Sequence, residues 1–290
     1  MTHVPRMNVS SRLWLAAAGI LGGSGVVIAA GALGTNRLLL RCKTNGSLPR
    51  LSDRLGELVR TNSESILAIT LPDDSSRPWN DVAISASVHP NADTHIEFCT
   101  YGQHGDFMSF LLAPLTGKGT RLTRPLMMVG SIVRHPLRFL RARLPVGWSR
   151  KTLVILVMQS SDNAIAFRPK RGIFGFGLRT EQHAEKPNPT FIPEANAAAE
   201  FLAAHTGGIA SSGVLEAAAN IPTTAHILGG APIGRDATTG VVDSRHRAFG
   251  YENFMICDGS AMPANPGVNP SLTITALAEH AMAHVPEAPR

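Results

Sequence analysis

The sequence predicts a mixed α/β fold of short elements, and three observations carry that expectation. Apolar runs of strand length, several rich in Val and Ile, recur along the chain. Two segments, one after Pro193 and one after Pro270, show instead the spacing and the proline start of helices. Twenty prolines and 27 glycines in 290 residues punctuate what lies between. With 44% hydrophobic and 17% charged residues, the composition excludes disorder and a multi-span membrane protein. At ~150 residues per domain the length corresponds to about two domains.

The run Leu13 to Leu33 carries no charge, and a signal-peptide core or membrane anchor is one reading of it. Twelve of its 21 residues are Gly, Ala or Ser, however, and it divides into shorter pieces. Val26 to Ala30 (VVIAA) reads as a buried strand, Gly31 to Thr35 as a turn, and Asn36 to Leu40 as the start of a helix. We prefer this soluble strand–turn–helix, which leaves residues 1–24 as an atypical N-terminus and the protein cytoplasmic or peripheral to a membrane.

Farther along, Ser65–Leu71, Val82–Val88 and His95–Tyr101 read as strands, the latter two with one buried face. Thr152–Met158 (TLVILVM) reads as a fully buried strand. Phe107–Leu115 and Met127–Arg143 look helical, broken or bounded by Pro114, Pro125 and Pro136. The helix from Pro193 ends at Gly207-Gly208. Asn253–Cys257 (NFMIC) is a strand, followed by a turn and a helix over Ser271–Val285 in which Pro270 sits at N1 and Asn269 is the N-cap.

The net charge is +6, and its excess is local. Between Asp106 and Asp162 there is no acidic residue, while nine basic ones interleave with apolar side chains such as Leu126, Val129, Leu137 and Trp148. Such a stretch, residues 118–151, fits a peripheral contact with an anionic membrane surface. A solvated helix face is the plainer reading, and no nucleic-acid-binding motif accompanies the charge. Cys42, Cys99 and Cys257 lie far apart in odd number, as thiols of a reducing compartment do.

Three searches for chemistry fail. His95, Glu97 and Cys99, with His104 nearby, faintly suggest a zinc site, but no CxxC completes it and one half-exposed strand face explains the spacing. Gly22–Gly25 and Gly175–Gly177 lack the register of a dinucleotide loop. There is no GxSxG elbow.

The segment Thr223–Val285 behaves differently. His226 precedes Leu228-Gly229-Gly230, where missing side chains let a backbone or a planar ligand approach, and a histidine there can take a proton at neutral pH. Asp258-Gly259-Ser260 closes a buried strand, where ligands sit in open sheets. The helix behind Asn269-Pro270 turns its positive end outward, which would stabilise a negatively charged cofactor.

These segments resemble the C-terminal signature of the glucose–methanol–choline (GMC) oxidoreductases: HILGG from His226, VVD, NFMICDGSAMP and GVNPSLTITALAE, in order and spacing. Pairing of a His with an Asn looks like the family's cholesterol oxidases, and VVIAAGALGTNRLLL resembles its second flavin-contacting segment. The resemblance implies FAD as cofactor and a partial FAD-binding, Rossmann-like domain (25–48 and 222–290). Beside it would stand a substrate domain (49–221) with a mostly antiparallel sheet covered by helices. It further implies that His226 takes or orients the hydroxyl proton of a bulky alcohol such as a sterol, and that Asn269 donates toward flavin and substrate. Asp258, Gly259, Ala30, Gly31, Thr35, Pro270 and Ser271 would border the cofactor. The family's strand–GxGxxG–helix unit has no counterpart here, so a separate chain carrying it is an expected partner. The glutamate that some members use for isomerisation has no match near Trp148–Lys151. A remnant or lipid-binding module without redox activity is the alternative.

Overall fold

The computed structural model describes residues 25–80, 82–172 and 175–285. The expectation for residues 1–24, and with it most of the run 13–33, lies outside the described residues. In chain order the first elements are β1 (Val26–Ile28), α1 (Gly31–Thr44), β2 (Val59–Arg60), β3 (Ser65–Thr70), β4 (Ile84–Val88) and β5 (Thr94–Cys99). Then come β6 (Leu112–Pro114), α2 (Thr123–Arg134), α3 (Pro136–Arg143), β7 (Thr152–Gln159), β8 (Ile165–Gly172) and β9 (Gly175–Gln182). The last are α4 (Pro193–Thr206), β10 (Ile209–Gly213), α5 (Val214–Ala219), β11 (Leu228–Gly229), β12 (Phe254–Ile256) and α6 (Ser271–Met282). Among the described residues no helix is long and apolar enough to cross a membrane.

The fold is mixed α/β with mostly antiparallel sheets. The largest sheet has the order β4-β5-β7-β3-β10-β6, every pair antiparallel. Alternation along its strands sends Leu67, Ile69, Ile155 and Val157 to one face, where α4 covers them with Ala195 and Ala199. The opposite face carries Ala68 and Val154 under Trp148 and Leu112, with Met108 and Tyr101 packed alongside. A second sheet, β11-β2-β8-β9, joins the C-terminal part to the middle of the chain through Leu228 opposite Arg60. The third is the parallel pair β1–β12, with Val26 opposite Phe254.

Four expectations need correction. The helix α1 opens at Gly31 rather than Asn36, because Gly31 makes the turn by itself at φ +71°. Paired only with β12, β1 is half-exposed rather than buried. The stretch Phe107–Leu115 is not a helix: a 3-10 turn over Asp106–Leu111 leads into β6. There β10 offers an open edge, and Pro114, which cannot donate a ladder bond, is tolerated on the outermost strand. Finally, β4 has no buried face: on the sheet edge, all of Ile84–Val88 is exposed. Gly175–Gly177 begins one arm of the β8–β9 hairpin, where Arg168 is paired with Glu57 and with Glu181 (3.2 Å).

One helix is inverted. Arg124 is the residue of α2 that is fully buried, donating to Thr116 Oγ1 (3.1 Å), to the Thr190 carbonyl and to Asn220 Oδ1 (3.3 Å). Its guanidinium lies 4.0 Å from Glu216, which accepts from Ser65 Oγ (3.0 Å) and Thr223 Oγ1 (3.1 Å). Burial holds the Glu216 carboxyl above its ordinary range, against the pull of these donors and of Arg124. Arg124→Ala leaves that acid buried beside unmet acceptors and should cost about 3–5 kcal/mol in urea unfolding. A loss below ~1 kcal/mol would mean that Arg124 does not anchor α2. A carboxyl raised in the folded state favours folding below its unfolded pKa and loses that contribution as pH rises. Glu216→Gln should therefore gain stability relative to the parent chain as pH climbs above the carboxylate range.

Candidate active site

Two buried carboxylates organise the exposed end of the large sheet. Glu64 stands just before β3 and is almost inaccessible. One of its oxygens accepts the Thr224 hydroxyl (2.8 Å) and the Ala225 amide (2.5 Å), and the other meets His226 Nδ1 in a short contact. A carboxylate can only accept, so Nδ1 carries the hydrogen and the neutral ring keeps its lone pair on Nε2. The His226 side chain is one-fifth exposed. The tautomer of His226 is thus set from behind, by Glu64.

Glu97 is the second carboxylate, on β5, in register with Leu156 of β7 and, beyond it, Ile66 of β3. Both of its oxygens take Asn269 Nδ2, at 3.0 and 2.8 Å. That settles which end of the Asn269 amide faces the sheet, and it changes one expectation. Asn269 does not cap α6, which begins at Ser271 without a side-chain cap. The same amide nitrogen donates to Glu97, and as a primary amide it carries a second N–H. Charge-assisted bonds to a buried carboxylate outweigh a single capping bond.

Cys99, two residues along the same face, reports on both acids. Burial, then the Glu97 charge and its hydrogen bond, then Glu64, push the thiol up to about 12. His226 and Asn269 therefore hang from two acids that share one patch of sheet.

The backbone at Asn62-Ser63 fixes this geometry. Both residues are left-handed, with φ +58° and +48°, which is uncommon for side-chain-bearing residues. The Asn62 side chain donates to the Val268 carbonyl (3.0 Å) and accepts from the Gly267 amide (2.8 Å), while Asn265 Oδ1 accepts the Asn62 amide (2.9 Å). The bend that presents Glu64 is thereby tied to the loop that presents Asn269.

Asp258, at the carboxyl end of β12, collects the cofactor-side residues. Its Oδ2 accepts Gly31 N (3.0 Å) and Thr35 Oγ1 (2.5 Å), and its Oδ1 accepts Ser260 N (2.8 Å) and Ser260 Oγ (2.5 Å). Ala30 N donates to Thr35 Oγ1 at 3.2 Å. Ala30 and Gly31 are exposed, Thr35 and Gly259 are buried, Pro270 is buried and Ser271 exposed. A Cβ on Gly31 would meet nothing within 4 Å, so open space lies above this helix start. These residues fit a flavin by space and position, with Ala30 and Gly31 exposed at the carboxyl ends of the parallel pair β1–β12, while the Asp258 carboxylate already takes the Gly31 amide. Gly229 and Gly230 serve another purpose. The space a Cβ would need is filled by the Leu58 carbonyl and the Asn36 amide, so these glycines admit the chain's own groups and not a planar ligand.

Sequence reasoning singled out His226, Asn269 and Asp258 but missed Glu64 and Glu97. Glu64 sits in the polar run Thr61–Ser65, and Glu97 passed for the solvent side of a half-exposed strand. A signal was available at Glu97: Ile96 faces a buried core, so a strand lying between two neighbours needed both faces covered.

Residues 184–278 match the family model for GMC oxidoreductases. The chain is 41% identical over 262 residues to a cholesterol oxidase of Acinetobacter baumannii, covering 90% of this chain and 47% of that protein. It is 43% identical over 263 residues to a cholesterol oxidase of Mycobacterium tuberculosis H37Rv, covering 88% and 45%. It thus spans about half the length of these relatives. The crystal structure of pyridoxine 4-oxidase from Mesorbium loti shares the fold, with a TM-score of 0.51 at 13% identity over 90% of this chain and 51% of that one.

The Glu97 charge can be read through its neighbour. In a Cys42→Ser, Cys257→Ser background, Glu97→Gln should raise the rate at which iodoacetamide alkylates Cys99 at alkaline pH by severalfold. An unchanged rate would separate Glu97 from Cys99.

Proposed function

We propose that this chain, whose residues 184–278 match the GMC oxidoreductase family model, supplies the base and the substrate-facing sheet of an FAD-dependent alcohol oxidoreductase. Its substrate would be a bulky hydrophobic alcohol, a 3β-hydroxysteroid such as cholesterol. The observation that carries the reading is the Glu64–His226 pair. A buried acceptor behind Nδ1 leaves Nε2 free to take the hydroxyl proton, and the imidazolium then formed is stabilised by the Glu64 charge. Support for the substrate class comes from the relatives, both cholesterol oxidases by name.

Bound FAD would supply the two-electron acceptor for the hydride that leaves the carbinol carbon. The residues of this chain do the rest. Asp258 ties Gly31, Thr35 and Ser260 into one rigid edge for the cofactor. Glu97 holds the Asn269 amide in one orientation. His226 receives the proton at Nε2 while Glu64 keeps its ring from turning.

The test is the visible spectrum of the purified chain after mixing with excess FAD and gel filtration, followed by assay on a 3β-hydroxysteroid with oxygen or an artificial acceptor. Retained flavin bands and turnover are expected once a second chain supplies the GxGxxG unit, and retained bands without it would mean that the cofactor site assembles from this chain alone. His226→Ala should slow turnover by about 10²–10⁴-fold with the bands unchanged, and Glu64→Gln by a substantial part of that. A chain that binds sterol yet retains no flavin and oxidises nothing would instead be a lipid-binding module.

A further inference from the structure

The helix pair α2–α3 wears its apolar side outward. Leu122, Leu126, Val129 and Val133 follow at intervals of four, three and four residues, which places them on one stripe of α2 and its lead-in. Leu137 and Leu140 carry an apolar strip on along α3. All six are between 51% and 80% exposed, whereas the inward position of α2 is taken by Arg124. An ordinary surface helix has the opposite arrangement. Phe107 and Phe110, from the neighbouring 3-10 turn, are exposed too, and the Arg143 guanidinium lies 5.6 Å from the Phe110 ring centre and 5.8 Å from that of Phe139. A contiguous apolar patch of this kind marks a partner surface.

The charges around the stripe say what the partner is. No acidic residue occurs from Phe107 to Ser161. Arg121 and Arg134 flank the apolar side chains and make no ion pair among the described residues, while Arg138 lines the inward side of α3. The pair is also set off from the body of the protein: α3 fully buries Ala142 alone, and a cavity of about 390 Å³ between α3 and α4 lies beneath it. Apolar side chains that enter an acyl layer, with guanidinium groups at the level of the phosphates, are the features of an interfacial helix.

We propose that α2–α3 is a docking element for an anionic lipid bilayer, with Leu126, Val129, Val133, Leu137 and Leu140 entering the interface and Arg121 and Arg134 meeting lipid phosphates. The proposal rests on the exposed face and not on the chemistry assigned to His226, and its test needs no turnover. The 290-residue chain is sedimented with vesicles of phosphatidylcholine alone or mixed with phosphatidylglycerol, at low and high salt. Binding to the mixed vesicles, weakened by salt, is expected. Arg121→Glu with Arg134→Glu should reduce it at least about tenfold, and Val133→Asp with Leu137→Asp should abolish it, thermal midpoints staying near the parent's because these side chains are exposed. Three results would overturn the proposal: no vesicle binding by a folded chain, equal binding to both vesicle types, or self-association in sedimentation velocity that Val133→Asp with Leu137→Asp removes, which would assign the stripe to a second copy of this chain.

Discussion

Everything at the candidate site depends on keeping two carboxylates, Glu64 and Glu97, out of water. Taking an ionised carboxylate into a protein interior costs several kcal/mol unless donors replace its hydration. Here the donors come from one late stretch of chain: Thr224, Ala225 and His226 for Glu64, and Asn269 for Glu97. Glu64 and Glu97 can therefore be buried only when that stretch closes over them. A residue such as His226, which would otherwise be a mobile turn side chain, is held because an acid behind it needs the hydrogen on Nδ1.

The same device recurs away from the site. Arg124 and Glu216 bury one another with Ser65 and Thr223, and Arg60 reaches the Pro263 carbonyl (2.8 Å) and Asp162 (2.8 Å). Polar groups from early in the chain are matched by partners about 100 to 200 residues later. Interdigitation of this sort makes the parts hard to separate, since removing either partner leaves a buried group unpaired. It also frees α2 from the need to bury leucines, because its charged residue does the anchoring.

Much of the fold was legible where a run could satisfy a local rule unaided. The strands β3, β5 and β7 are short apolar runs, and α4 begins at Pro193 and ends on Gly207 in the left-handed conformation. What could not be read was set by distant partners. β6 exists because β10 offers an edge, and β8 because β9 pairs with it along charged positions. At the site, His226 and Asp258 stood out through the motifs around them. Glu64 and Glu97 did not, because a lone glutamate in a polar run or on an alternating strand has the appearance of a solvated one. Asn269 was found but given the wrong local job, since only the fold reveals that Glu97 lies within 2.8 Å of it.

The central claim is that Glu64 fixes the His226 ring with its hydrogen on Nδ1 and its lone pair on Nε2. The measurement that tests it most directly is the pair of imidazole ¹⁵N chemical shifts of His226 in the neutral ring, in the parent chain and in Glu64→Ala. The account predicts a protonated Nδ1 and an unprotonated Nε2 in the parent, collapsing in Glu64→Ala toward the tautomer mixture of a free histidine. A hydrogen on Nε2 in the parent, or shifts that ignore the loss of Glu64, would contradict it.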